Sequence, residues 1–296
     1  MASGAHAAGA LGVQHPGRVP RRCGRTGAIS NPRIIAAASW LERFLYRRSN
    51  AVTVLSDDLA DNIESKLGSN RPERVRVIPN FVDTERIRPM DTATSYRDEF
   101  GLGDRTVVMY AGNVGMSQSL DLMVGAARRF AHRRDVVFVI NGGGSSQQEL
   151  MAGASGLENL LFVEMQPRER LPEVLASADV HVIPLRRGLA RSSVPSKLYS
   201  ILAAARPVVA SVDEGTEVAR TVESAEAGLA VPPEQAEPFA EAIGVLIDDR
   251  RRREQMGESG RAFVEQWVSP AAVAAAYERL FEDVRAERTH RPAFPG

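Results

Sequence analysis

The sequence predicts an α/β fold in which a doubly wound parallel sheet forms a large Rossmann-like domain beside a smaller, incomplete segment. From residue 91 onward, short apolar segments typical of strands alternate with amphipathic segments typical of helices. This alternation produces right-handed parallel βαβ units. Residues 51–78 add only two strands and one helix. Because a parallel sheet needs cover on both faces and more than two strands, these residues predict the remnant of a second domain.

Regular structure is expected to begin only after residue 31. Residues 1–31 are rich in Gly, Ala, Arg and Pro without a sustained period, so we assign them no structure and treat them as irregular or disordered. The expected elements after them are a helix at 34–48 with one broad apolar face, a strand at 51–55, a helix at 56–68 and a strand at 75–78. With a linker, these elements form a segment over 32–90.

The Rossmann-like domain is expected over 91–265. Its expected strands are 107–110, 136–140, 160–163, 180–185, 208–210 and 229–231, and its main expected helices are 94–100, 168–177, 195–205, 216–225, 234–248 and 250–265. A last helix, with Ser269 as its N-cap and Pro270 in its first turn, belongs to a segment over 266–296. Its apolar stripe must pack on another element.

Composition narrows the class of protein. Lys+Arg and Asp+Glu both total 37, so the chain of 296 residues has no net charge that would attract nucleic acid. A single cysteine, Cys23, excludes an internal disulfide framework and fits a reducing compartment. No apolar run approaches the roughly 20 residues that span a bilayer. We therefore expect a cytoplasmic protein that does not bind nucleic acid.

Ligands of open parallel sheets bind beyond the carboxyl ends of the strands. Four segments converge there, and they are residues 112–115, 142–144, 165–168 and 186–197. The glycines of the first two segments would let backbone N–H groups approach a diphosphate, although tight turns also need glycine. The fingerprint G-x-G-x-x-G is absent, which argues against a dinucleotide. We expect no cofactor.

The stretch 191–211 carries the strongest signal for a ligand. It opens with small hydroxyl residues and starts a helix whose free N–H groups suit a phosphate. Lys197 lies in the first turn, where a cation opposes the helix dipole unless an anion is bound. Arg186, Arg187 and Arg191 crowd the same loop. A solvated basic surface is the alternative, but the position at a strand's carboxyl end favours a diphosphate clamp.

Other kinds of site find no support in the sequence. The five histidines show no metal-ligand spacing, and we expect no metal site. His132 ends a helix and His181 lies inside a strand, so both are expected to be structural. The sequence also lacks a G-x-S-x-G elbow, a Cys/His pairing and an H-E-x-x-H motif.

Five motifs in order resemble the family-4 retaining glycosyltransferases of the GT-B fold. They are A-V-T-V-L-S, V-R-V-I-P-N-F-V-D, Y-A-G-N-V-G, L-A-S-A-D-V-H-V-I-P-L and S-V-P-S-K-L-Y-S-I-L-A-A-A-R-P-V-V-A-S. The resemblance covers about residues 34–282 and is greatest to the bacterial branch of exopolysaccharide and O-antigen synthesis. It implies that the Rossmann-like domain is the carboxyl-terminal domain of a GT-B enzyme.

The resemblance implies hexosyl or acetylhexosaminyl transfer from a nucleoside-diphosphate sugar, most often UDP-linked. The acceptor would be lipid-linked or a saccharide, with peripheral membrane association of the complete enzyme at the inner face. Together with the basic loop and the glycine turns, it leads us to expect catalytic roles for Lys197 and Arg191. The expected donor-binding residues are Gly112, Asn113, Gly115, Gln118, Gly143, Met165, Arg168, Arg186, Ser193, Ser196 and Ser200.

The chain departs from the family pattern in three ways. The usual pair of glutamates falls on Ser192 and Ser200, and the usual arginine and lysine of the diphosphate clamp fall on Asn113 and Gln118. Most of the amino-terminal domain is also missing. We therefore expect a truncated reading frame that transfers no sugar alone. The alternatives are a UDP-sugar epimerase of the GT-B type and a non-catalytic nucleotide-sugar-binding module.

Overall fold

The computed structural model describes residues 12–14, 31–67, 74–189 and 196–289. In these ranges the strands are β1 Gly12–Gln14, β2 Ala51–Val54, β3 Val75–Val77, β4 Thr106–Ala111, β5 Val136–Asn141, β6 Leu160–Val163, β7 Val180–Pro184, β8 Val208–Ser211 and β9 Gly228–Val231. The helices are α1 Pro32–Arg48, α2 Asp57–Leu67, α3 Ser95–Glu99, α4 Asp121–Arg129, α5 Gln147–Gly153, α6 Leu171–Ala176, α7 Ser196–Ala203, α8 Glu217–Ser224, α9 Ala236–Asp248, α10 Arg250–Trp267 and α11 Pro270–Thr289.

The chain divides into two compact units, and residues 1–80 and 271–296 form the smaller one. Its sheet has the order β1-β2-β3, with both pairs parallel. The sequence assigns no structure to residues 1–31, and this expectation was wrong for Gly12–Gln14, which pairs with β2. A three-residue strand depends on its partner rather than on its own propensity, so composition gave no signal for it.

Helix α11 supplies cover for the smaller sheet. Its apolar stripe, predicted to pack on another element, contributes Val273, Leu280 and Val284 to one buried cluster with Ala51 and Ile78. Asn31 is the N-cap of helix α1, and its side chain accepts a hydrogen bond of 3.0 Å from the N–H of Arg33. The apolar face predicted for α1 is largely exposed.

Residues 81–270 form the larger unit. Its six strands are all parallel, in the order β6-β5-β4-β7-β8-β9. Alternate residues of β4 enter different clusters, since Val108 packs with α4 and α9 while Val107 packs with α3 and α6. Helices therefore cover both faces, and the doubly wound sheet predicted from the sequence is confirmed. The chain order reverses at β4, beside β7, where such sheets form a ligand crevice.

Residues 81–90 correct the predicted domain boundary. The sequence-based division places them in the smaller segment, but Val82 and Ile87 are buried in the core of the larger unit. Arg261 holds this stretch, because its guanidinium donates to the carbonyl oxygens of Ile87 at 2.8 Å and Thr84 at 3.0 Å. Hydrogen bonds from a side chain to distant carbonyl oxygens produce no periodic pattern in the sequence, so the sequence did not indicate this boundary.

A buried cation joins α3 to the central sheet. The Arg97 guanidinium donates to the carbonyl oxygens of Ser177 at 2.9 Å, Gly103 at 3.0 Å and Arg105 at 3.1 Å. It also forms an ion pair of 2.6 Å with Asp179. The side chain of Arg97 is only 7% exposed. A buried cation is tolerated when all its N–H groups have acceptors. Removing Arg97 would leave those acceptors without their donor.

His181 is a fully buried residue of β7 whose Nε2 lies 2.9 Å from the carbonyl oxygen of Leu175. With its proton on Nε2, the neutral ring donates to that oxygen. Burial is the main reason why the pKa of His181 falls from 6.5 to about 4. The expected structural role fits this surrounding.

We expect His181 to make the free energy of unfolding depend on pH. Between pH 6.5 and about 4 the unfolded chain binds a proton that the folded chain excludes, so stability falls as the pH falls. At about 1.4 kcal/mol per pKa unit, the loss approaches about 3 kcal/mol. His181→Gln should remove this part of the difference between urea unfolding at pH 7 and at pH 4.5. The exposed His132 provides the control variant His132→Gln, and an equal pH dependence of all three proteins would contradict the assignment.

Candidate functional site

A cavity of about 440 Å³ lies in the larger unit at the carboxyl ends of the central strands. We call it the strand-end cavity. Ala111 ends β4, Asn141 ends β5 and Ile183 lies near the end of β7, and all three line it. Its remaining walls come from the loop before α6, from α6 and from α7. The sequence places a ligand site at this edge of the sheet.

Glycines let backbone form one side of the strand-end cavity. The Gly112 N–H donates to the carbonyl oxygen of Asn141 at 2.9 Å, and a Cβ added to Gly142 would overlap the Gly112 carbonyl. A Cβ added to Gly112 would overlap the Lys197 ammonium. The φ of Gly112 is +147°, a value that other residues rarely adopt. Glycine is thus required at 142 for space, and at 112 it is favoured by the backbone conformation.

Lys197 brings a positive charge to this backbone. Its Nζ donates to the Tyr110 hydroxyl at 3.0 Å and lies 4.8 Å from the centre of the Tyr110 ring. The Tyr110 hydroxyl in turn donates to the Asn113 carbonyl oxygen at 2.6 Å. Lys197 is exposed, yet protein atoms around its ammonium lower its pKa by desolvation.

The Lys197 charge has no acidic partner in the part of the chain that the structure describes. Tyr110 cannot supply one, since burial raises the pKa of its hydroxyl above the usual 10.0 and keeps it neutral. An anion entering the cavity would therefore meet an uncompensated ammonium.

Most of the other residues that line the strand-end cavity are apolar. Leu171, Val174 and Ile201 line it beside Met165 and Pro167. Further contacts fix the loop that carries these residues. Arg86 donates to the Arg168 carbonyl oxygen at 2.8 Å, and Arg170 donates to the Gln166 side chain at 2.8 Å. The cavity thus combines one charged end with a preformed apolar wall.

The structure brings together six of the predicted site residues. The strand-end cavity is lined by Gly112, Met165, Arg168, Ser196, Lys197 and Ser200. Ser196 and Lys197 lie in the first turn of α7, as the sequence indicates. The predicted Arg191 and Ser193, with Ser192, lie outside the described residues.

The other predicted residues lie elsewhere. Gly115, Gln118 and Arg186 line a second cavity of about 500 Å³. The Gln118 side chain accepts from the Gly115 N–H at 3.1 Å, and Arg186 donates to the Met116 carbonyl oxygen at 2.9 Å. Arg186 also pairs with Glu234 at 3.3 Å. The expectation that Arg186 joins Lys197 at one anion is therefore corrected.

Asn113 and Gly143 make no side-chain contribution to the strand-end cavity. Asn113 is exposed and acts through its carbonyl oxygen, which accepts from Tyr110. Gly143 is not among the lining residues, although its carbonyl oxygen accepts from the Val114 N–H at 2.9 Å. Both belong to the backbone that shapes the loops.

Sequence reasoning missed two residues of the site. Asn141 is 3% exposed, lines the strand-end cavity and accepts from the Tyr96 hydroxyl at 2.8 Å. A polar residue that ends an apolar strand is a signal that could have revealed it. Tyr110 lies one residue before the end of β4 and outside the cavity lining, and its hydroxyl reaches the site through Lys197.

Two further findings concern metals and membranes. Among the described residues, no group of three or more His, Cys, Asp or Glu side chains is placed to hold a metal ion. In the same ranges, we find no helix whose length and apolarity would suffice to span a bilayer.

Two family models match the chain. Residues 22–86 match the family "Glycosyltransferase Family 4", and residues 105–249 match "Glycosyl transferases group 1". The first match falls within the smaller unit and the start of the larger one, and the second covers most of the large sheet. Together they cover more than two thirds of the chain.

Curated relatives are glycosyltransferases by name. An alpha-D-kanosaminyltransferase of Streptomyces kanamyceticus is 28% identical over 75% of this chain and 57% of its own length. A protein of Escherichia coli K12, WcaI, named as a glycosyl transferase of colanic acid biosynthesis, is 28% identical over 74% of this chain and 55% of its own length. The chain thus spans about half the length of the curated relatives it matches.

Solved structures show the same fold. The crystal structure of Anabaena Alr3699/HepE in complex with UDP superimposes with a TM-score of 0.67 at 18% identity, covering 80% of this chain and 65% of that chain. At this identity the likeness concerns architecture alone. With both family models and this architecture in agreement, the chain belongs to the glycosyltransferases of the GT-B fold.

Proposed function

We propose that this chain binds a uridine-diphosphate sugar in the strand-end cavity and supplies the donor half of a retaining glycosyltransferase. In the complete enzyme the sugar would pass to a lipid-linked or saccharide acceptor of cell-surface polysaccharide synthesis, at the cytoplasmic face of the membrane. The resemblance to the exopolysaccharide branch and the name of the colanic acid relative support this assignment.

The observation that carries the proposal is the Lys197 ammonium beside the Gly112 backbone. This charge has no acidic partner among the described residues, and a diphosphate would supply one. Lys197 and Ser196 begin α7, whose free N–H groups add partial positive charge at the same end of the cavity. A diphosphate therefore fits this end better than a neutral group does.

The apolar wall of Met165, Pro167 and Leu171 offers room for a flat nucleobase. In the Anabaena structure the bound nucleotide is UDP. This likeness of fold supports uridine as the base of the donor, and the experiment below compares it with guanosine.

The proposed transfer step requires no general acid or base from the larger unit. The bond between the sugar's anomeric carbon and the donor phosphate oxygen breaks, and the acceptor oxygen forms the new bond to that carbon. The diphosphate leaves with the bonding electrons, and Lys197 would stabilise its growing charge. No aspartate, glutamate or histidine is among the described lining residues. The acceptor's proton must then pass to the leaving diphosphate or to a base outside this lining.

Calorimetry with UDP, uridine and GDP tests the proposal. We expect UDP to bind with a micromolar dissociation constant and uridine to bind about 10-fold or more weakly, because a charged hydrogen bond contributes about 1.5–3 kcal/mol. Equal affinity for uridine and UDP would contradict the diphosphate site. If GDP binds and UDP does not, the diphosphate site stands and the assignment of uridine as the base is wrong. If none of the three ligands gives heat, the proposed function is wrong.

A further inference from the structure

Lysine is rare in this chain. Of its 37 basic residues only Lys66 and Lys197 are lysines, and the others are arginines. At position 197 the choice has a steric reason. The ammonium occupies the space that a Cβ of Gly112 would fill, and it lies 3.0 Å from the Tyr110 hydroxyl. A compact ammonium fits this space, whereas a planar guanidinium is larger and has a different donor geometry.

The hydrogen bonds around Tyr110 have a fixed direction. A carbonyl oxygen cannot donate, so the Tyr110 hydroxyl must donate to Asn113 O at 2.6 Å. An ammonium cannot accept, so Lys197 must donate to the same hydroxyl at 3.0 Å. The phenol oxygen thus joins the ammonium to the backbone of the glycine loop, and two ammonium protons remain for a ligand.

We propose that Tyr110 is a positioning residue whose hydroxyl, oriented by the Asn113 carbonyl, holds the Lys197 ammonium beside Gly112 where the donor diphosphate binds. The role in donor binding rests on the proposed function, while the placement of the ammonium is a property of the free protein. Tyr110 itself is 2% exposed and does not line the strand-end cavity. It acts through Lys197 and not by touching the donor.

Packing alone would not need the hydroxyl. The Tyr110 ring belongs to the core with Val108 and Leu120, and a phenylalanine ring would fill the same space. Without the hydroxyl, the lysine side chain loses its acceptor and keeps only the weaker attraction to the ring face, so it gains rotamer freedom. Tyr110→Phe therefore separates positioning from packing.

NMR of the free protein tests the placement. With lysine as the labelled residue, only two side chains give signals, and Lys66→Arg assigns them. We expect nuclear Overhauser effects between the Lys197 Hε protons and the Tyr110 ring in the wild type. They should be lost in Tyr110→Phe, whose ring protons remain. Tyr96→Phe removes another buried hydroxyl, bonded to Asn141, and should leave them intact. Persistence of the contacts in Tyr110→Phe would overturn the proposal.

A double-mutant cycle with UDP tests the consequence for binding. We expect Tyr110→Phe to weaken UDP binding about fivefold in the wild type and to have no effect in the Lys197→Met background, since Tyr110 acts only through Lys197. If Tyr110→Phe lowers UDP affinity by the same factor in both backgrounds, or does not lower it in either, then Tyr110 does not act on UDP through Lys197. If the wild type binds no UDP, the proposed function fails, and the NMR result still decides whether Tyr110 holds Lys197.

Discussion

Lys197→Met is expected to weaken UDP binding by about 10- to 100-fold. The substitution keeps the length and much of the apolar volume of the side chain and removes the charge that lies beside Gly112. Because hydrogen bonds to charged groups contribute about 1.5–3 kcal/mol, losing one or two of them gives a change of this size. Calorimetry with UDP at constant ionic strength measures it.

Two controls isolate the charge at position 197. Uridine carries no diphosphate, so its affinity should be the same for the wild type and Lys197→Met. Lys66→Met removes the only other lysine of the sequence and should leave UDP binding unchanged. If uridine and UDP lose affinity in the same proportion, then Lys197 supports the cavity as a whole and does not bind the diphosphate.

Arg97→Met should cost about 3–5 kcal/mol of the free energy of unfolding. The carboxylate of Asp179 would lose its ion pair and keep the hydrogen bond from the Val107 N–H at 2.8 Å and the attraction of Arg206, with which it forms no ion pair. The carbonyl oxygens of Ser177 and Gly103 would lose their donor as well. Removing one partner of a buried ion pair is costly because the other charge stays behind. Urea unfolding followed by circular dichroism measures the loss.

A surface pair gives the matched control for Arg97. Arg129 and Glu237 form an ion pair with side chains 44% and 66% exposed, and Arg129→Met should change stability by about 0.5 kcal/mol or less. Should Arg97→Met fail to fold, Asp179→Asn keeps most hydrogen bonds and should be milder. A loss below about 1 kcal/mol for Arg97→Met would show that solvent reaches the cluster.

The architecture of the larger unit could be predicted because its signals are local. The strand at 160–163 was placed at the bounds it has, since a short apolar run between polar turns has few alternatives. The helix expected at 195–205 is observed at Ser196–Ala203. A difference of one or two residues is ordinary at the end of a helix, where the last turn frays.

The candidate site was predictable only in part because side-chain direction is not local. Arg186 and Lys197 are close in sequence, yet Arg186 bonds to Glu234, 48 positions away, and so leaves the strand-end cavity. Tyr110 gave the opposite error, since its ring satisfied the apolar pattern of β4 and concealed the use of its hydroxyl. Charge and hydropathy therefore locate a cavity better than they assign its members.

The bare backbone at Gly112 and Gly142 has a consequence for mutational scanning. A methyl group added to Gly142, which is buried, would meet the Gly112 carbonyl, whereas one added to Gly112 would meet the movable end of the Lys197 side chain. Gly142→Ala should therefore score as loss of folded protein, and Gly112→Ala should also displace the ammonium proposed to bind the donor. A scan ranked by expression would then find Gly142 first, and a scan ranked by ligand affinity among well-folded variants would overlook it.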